Sequence, residues 1–150
     1  MPQVGAAATV PIGPEAATAM WRDPRRWSGF VEGFQRVEDQ TADWPAEGSK
    51  VVWVSGPGGR GRVTEKVKSA APTAFGTLVY EERLVGTQTF RAAEAGEGSR
   101  VDVTLDYELT TESPFKGVAD LLFIRRALRD ALGRTLRRFA VEAEDEAGLR

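Results

Sequence analysis

Two arginines and two glutamates are the residues best placed to do chemistry. At about 100° per residue along the C-terminal segment, Val118, Leu121, Leu122, Leu128, Leu132, Leu136, Phe139 and Ala143 form one apolar stripe. Arg125 and Arg129 fall in the middle of it. A guanidinium turned inward needs a carboxylate, a ligand anion or water, because burying it unpaired is prohibitive. Two extended stretches offer acids. Glu65 shares a face with Val63 and Val67 in RVTEKVKS, and Glu82 shares one with Leu78, Tyr80 and Leu84. Two arrangements satisfy these four residues. Either the Arg stems lie across a sheet edge with heads in solvent or paired to the acids, or the group lines a polar patch in an apolar cavity and orients an oxygen-bearing ligand.

Missing residue types narrow the rest. The 150 residues include no cysteine and no histidine. Disulfides, thiolate nucleophiles, Ser-His-Asp triads and Cys- or His-ligated metals are therefore excluded. No metal site and no cofactor is expected, and proton transfer near neutral pH would fall to a carboxylate, Lys or Tyr. The stretch GPGGRG spaces Gly56, Gly58 and Gly61 like a dinucleotide loop. Such a loop must open a helix whose N-terminus receives the pyrophosphate. An alternating strand, RVTEKVKS, follows instead, so this is a hairpin turn, and a loop of that kind can sit at a cavity mouth.

Trp53, Tyr80, Phe90 and Tyr107 are expected to point inward from neighbouring strands, either filling a core or walling a flat apolar ligand. In the second case the Tyr80 and Tyr107 hydroxyls are polar handles.

These residues need elements to hold them. Residues 99–110, SRVDVTLDYELT, alternate strictly: Val101, Val103, Leu105, Tyr107 and Leu109 on one side, Asp102, Thr104, Asp106 and Glu108 on the other. Strands are expected at Val4–Val10, Phe34–Thr41, Lys50–Ser55, Arg62–Ser69, Phe75–Val85, Thr87–Ala93 and, for this stretch, Arg100–Thr110. Turn clusters separate them, the one before Thr87 being a bare Gly86. Loops this short join antiparallel neighbours. Two short helices, PEAATAMWRD and PRRWSGF, follow the first strand, with Trp21, Trp27 and Phe30 as anchors. One long helix from about Pro114 to Glu146, capped by Ser113, ends the chain. It alone is long enough to cover the sheet.

Composition sets the outer limits. Forty-one per cent apolar and 28% charged residues describe a globular chain, with 1–150 expected as one domain. Twenty basic residues against 22 acidic give a net charge of −2, no footprint for nucleic acid. The N-terminus MPQVGAAATVPIGPEA lacks a basic region and a sustained apolar run. No window approaches the roughly 20 apolar residues of an integral membrane segment, so the cytoplasm is the expected location. Nothing in the sequence fixes an oligomeric state.

The order of elements resembles the helix-grip fold of the START and birch-pollen-allergen superfamily (SRPBCC), particularly its polyketide cyclase/dehydrase-like bacterial members. The likeness covers nearly the whole chain. It rests on VPIGPEAATAMWRDPRRWSGF after the first strand, GSRVDVTLDYEL before the last helix and LLFIRRALRDALGRTLRRFAVEAE within it. It implies an α+β fold: a curved antiparallel six- to seven-stranded sheet wrapped around a long C-terminal helix, with two short helices after the first strand. It also implies a cavity between sheet and helix for a lipid, polyketide or similar apolar ligand. No stretch matches a defined catalytic motif of the aromatase/cyclase enzymes.

The expected function is binding of an apolar or amphipathic small molecule, as carrier or sensor. Trp53, Tyr80, Phe90, Val103, Leu105, Tyr107, Leu132 and Leu136 are the expected walls, and Glu65, Glu82, Arg125 and Arg129 the expected polar contacts. The alternatives are a polyketide cyclase or dehydrase, with Glu82 or a Tyr moving protons, and a protein-partner module with a filled core that uses the outer Arg-rich face of the last helix.

Overall fold

Strict alternation in the last strand fixes which of its faces is covered. In the computed structural model, which describes residues 2–110 and 117–148 (118–120 as backbone only), Val101, Val103, Leu105 and Tyr107 are all buried on that face. The described residues form one seven-stranded antiparallel sheet. Its strands are β1 (Gln3–Val10), β2 (Phe34–Gln40), β3 (Lys50–Ser55), β4 (Arg62–Ala71), β5 (Ala74–Tyr80), β6 (Leu84–Ala95) and β7 (Gly98–Leu109). Their spatial order is β1-β7-β6-β5-β4-β3-β2. Every pair except β1 with β7 is a sequential neighbour, and the N-terminal strand returns to lie beside the last one.

Between β1 and β2 come α1 (Pro14–Trp21) and a 3-10 helix (Pro24–Gly29). Pro14 suits the first turn of α1 because it has no N–H to leave unpaired there. Asp23 caps the 3-10 helix by accepting the Arg25 N–H at 3.1 Å. The long helix α2 (Val118–Glu146) completes the fold and packs along β1. This is the helix-grip architecture. The expected cap Ser113, Pro114 and the side chain of Val118 lie outside the described residues.

Two apolar clusters share the space under α2. One is aromatic. Trp21 stacks on Phe90 with ring centroids 5.0 Å apart, and Phe139 of α2 meets Phe30 edge-on at 5.0 Å. Leu136 and Ala143 join that cluster. The other is aliphatic: Val4, Leu84, Leu105 and Tyr107, with Leu128 against them. Leu132 touches both.

The structure corrects one turn. Gly86 is not a turn but an interior residue of β6, opposite Val79 on one side and Tyr107 on the other. The strand expected at Phe75–Val85 ends at Tyr80, and Glu81–Arg83 make the reversal. A glycine inside a strand marks a close backbone approach. Any Cβ at 86 would collide with the Asp106 carbonyl oxygen of β7.

Gly86→Ala should therefore lower stability by about 1–3 kcal/mol in urea unfolding. Gly56→Ala, with nothing near its added methyl, should stay within about 0.5 kcal/mol of the parent.

Candidate functional site

Three neighbouring strands of the sheet's largely apolar inner face build the centre of the site. β3 turns Val51 and Trp53 inward, β4 turns Val63, Glu65 and Val67, and β5 turns Phe75, Thr77 and Val79. Register puts Glu65 opposite Val51 and Val79. Trp53 and Thr77 are its diagonal neighbours on either side, within reach of a long side chain. Trp53 Nε1 donates to Glu65 Oε2 at 2.8 Å, and Thr77 Oγ1 donates to Oε1 at 2.9 Å. Glu65 is only 8% exposed, so these bonds offset much of the cost of holding a carboxylate there.

A cavity of about 410 Å³ lies between this surface and α2. Trp27, Trp53, Phe75, Leu84 and Leu105 wall it from below, and Ile124, Ala127, Leu128, Ala131 and Leu132 roof it. Gly58, Gly59 and Arg60 of the β3–β4 hairpin form part of its rim. Arg60 Nε donates to Glu81 Oε2 at 2.6 Å, and its guanidinium carbon lies 5.4 Å from the centre of the Trp53 ring. The site thus runs as a chain of contacts: Glu81, Arg60, Trp53, Glu65, Thr77. A wall of this kind holds an apolar body and offers it few, fixed polar contacts.

Of the twelve residues expected at the site, the structure brings Trp53, Glu65, Leu105 and Leu132 together on the cavity wall. Phe90, Val103 and Leu136 are buried in the aromatic cluster and do not line the cavity. Tyr107 is buried in the aliphatic cluster and borders a separate depression at the end of β7, with Pro2, Leu121, Leu122 and Arg125. Four positions are corrected. Tyr80 is 46% exposed because Phe75, Thr77 and Val79 take the inward parity of β5. Glu82 lies exposed on the reversal, so neither residue is placed to move protons inside the cavity. Arg125 and Arg129 are exposed on the flank of α2. The buried Thr135 turns the inward face of the helix away from them.

Glu81 takes the place expected of Glu82, with a side chain only 5% exposed. Arg60, Gln88 and Thr135 also join the wall. Only the glycine-rich loop hinted at Arg60. Polar Gln88 and Thr135 carry no signal in an apolar-periodicity count. Among the described residues, the space under α2 holds a cavity, where the partner-module alternative expects a filled core. Two arginines of its proposed docking face, Arg134 and Arg138, instead grip Glu32 at 2.9 and 3.1 Å.

Residues 1–144 match the family model described as polyketide cyclase / dehydrase and lipid transport. No match is found among curated proteins. Among solved structures, the chain is similar to protein TTHA0849 from Thermus thermophilus, with TM-score 0.80 and 19% identity over 97% of this chain and 99% of that one. It is similar to a START superfamily protein from Mycobacterium smegmatis, with TM-score 0.76 and 15% identity over 95% and 97%. It also matches the di-domain ARO/CYC StfQ of the steffimycin biosynthetic pathway, with TM-score 0.78 and 13% identity, covering 97% of this chain and 51% of StfQ. Among the described residues, no helix is long and apolar enough to cross a membrane.

Two outcomes test this geometry. Thr77→Val removes one donor from a buried carboxylate and should cost about 1–3 kcal/mol in chemical denaturation. Burial pushes the Tyr107 phenol above its ordinary range, with Arg125 pulling it partly back. A phenol raised in the folded state favours its neutral form there. Its contribution is therefore full below about pH 10 and is lost as pH climbs through the raised value. Stability above about pH 10 should fall more steeply in the parent protein than in Tyr107→Phe.

Proposed function

The chain belongs to the polyketide cyclase / dehydrase and lipid transport family, and from that premise we propose that it holds an apolar or amphipathic small molecule between its sheet and α2. The carrying observation is the cavity itself. Its volume of about 410 Å³ falls in the range of small-molecule sites, and its walls are aromatic and aliphatic with a few convergent polar groups. A lipid or a polyketide is the ligand class the family's description suggests. In this reading residues 1–150 act as one carrier or sensor domain in the cytoplasm.

The order of the walls supports a defined pose. Trp27 is fixed by donating Nε1 to the Trp21 carbonyl at 2.8 Å, and Trp53 by its bond to Glu65. Two indoles held this way give the wall a fixed shape, so little entropy is lost in ordering it around a ligand. Leu128 and Leu132 of α2 supply the opposite side.

The neutral fluorescent probe N-phenyl-1-naphthylamine should bind the protein and raise its melting temperature. Ala131→Trp, which fills space under the roof, should weaken that binding at least about tenfold while the protein stays folded. A parent protein that neither binds a panel of such probes nor gains melting temperature from them counts against the proposal.

A further inference from the structure

The charged groups on the cavity wall are not equivalent. Arg60 is paired with Glu81, and Arg134 with Glu32. Arg83 also reaches the wall, but from the exposed reversal between β5 and β6, where water screens what it holds. Glu65 is different. It is buried, both of its oxygens accept from neutral donors, and no cation among the described residues pairs with it. A carboxylate offers about four acceptor sites. Trp53 and Thr77 use two of them. The remaining capacity faces a wall whose other polar groups include Gln88, opposite Thr77 in the register, Thr135 and the Arg60–Glu81 pair, set among indole, phenyl and aliphatic carbon.

We infer that Glu65 sets the chemical class of the ligand: an apolar, flat skeleton that carries a hydrogen-bond donor at its buried end, and not an acid. This rests on the proposed use of the cavity. A hydrocarbon lodged against Glu65 strips water from the spare acceptor sites and returns nothing, which lowers its affinity. A ligand carboxylate brings a like charge into a poorly screened space, where repulsion is strong. A hydroxyl or protonated amine completes the carboxylate's shell with a charge-assisted bond, roughly twice as strong as a neutral one. Trp53 is the positioning group: its N–H fixes the Glu65 carboxylate, and its own ring is locked among Arg60, Phe34 and Trp27. The acceptor is therefore oriented before the ligand arrives, which favours discrimination by position as well as by charge.

Naphthalene, 2-naphthol and 2-naphthoate share one skeleton and differ only in this group. Titrated into the full chain near neutral pH and followed by calorimetry, 2-naphthol should bind at least about tenfold tighter than naphthalene, with 2-naphthoate the weakest. In Glu65→Gln the side-chain amide still accepts from Trp53. There the advantage of 2-naphthol over naphthalene should shrink about fivefold, and 2-naphthoate should bind more tightly than it does to the parent. Naphthalene affinity in the variant reports whether its cavity is intact. A parent protein that binds 2-naphthoate as well as 2-naphthol overturns the inference, whether or not the variant folds. So does a folded Glu65→Gln protein with all three ratios unchanged, and in both cases the cavity reading survives. Failure of all three compounds to bind removes the cavity reading and this inference together.

Discussion

Among the described residues, the helix α2 is gripped most firmly at its C-terminal end. Its C-terminal half buries Leu136, Phe139 and Ala143 against Trp21, Phe30 and Phe90, a cluster in which each large side chain is worth about 1.5–3 kcal/mol of burial. Aromatic pairing adds about 0.5–1.5 kcal/mol per contact. That clamp fixes the helix axis relative to the sheet. The N-terminal half is then carried across the sheet without equivalent packing, and Leu121, Leu122 and Phe123 are exposed there. Everything at the candidate site follows from this lopsided hold. The roof is set in place from its far end.

Polar groups are placed where the clamp leaves room. Glu65 occupies an inward position flanked by Val63 and Val67, where an aliphatic residue would close the core. Its bonds reach both neighbouring strands, so the carboxylate ties β3 to β5 across β4. Arg60 works at the boundary. It is part-exposed, covers the Trp53 ring and anchors the glycine-rich hairpin to Glu81 on the opposite reversal. The loop takes left-handed glycines at 58 and 61, and this ion pair ties it to the neighbouring reversal.

Much of this was legible from residue order. Alternation placed Val101 to Tyr107 on the covered face, and Lys50–Ser55 is a strand with those bounds. These readings succeed because a half-buried strand writes its geometry into period-two hydrophobicity. The site was harder for two physical reasons. Glycine marks both a reversal and a tight strand crossing, and only the neighbouring backbone tells them apart. Taking Gly86 as a reversal carried one strand through Glu81–Arg83 and put Glu82 inward in place of Glu81. Counting apolar residues alone likewise misplaces the covered face of the helix. Thr135 is buried, its hydroxyl accepting the Glu32 N–H at 3.0 Å. Counting it as inward shifts the covered face toward Ile124 and Ala131, and Arg125 and Arg129 pass to the flank.

Why the roof does not collapse onto the sheet is a question of balance. Lowering the N-terminal half of α2 would bury more of Ile124, Ala127 and Leu128, each partly or largely exposed. Full burial of a leucine or isoleucine gains about 1.5–3 kcal/mol, and part of that is already realised. The same movement would press those side chains against Glu65, Gln88 and the Arg60–Glu81 pair. A carboxylate cut off from its remaining partners costs about 1–3 kcal/mol or more, and an amide with no partner a similar sum. The two sides are comparable. A cavity whose closure is nearly neutral stays open at little cost, and a bound molecule that covers the leucines while answering the polar groups gains from both at once.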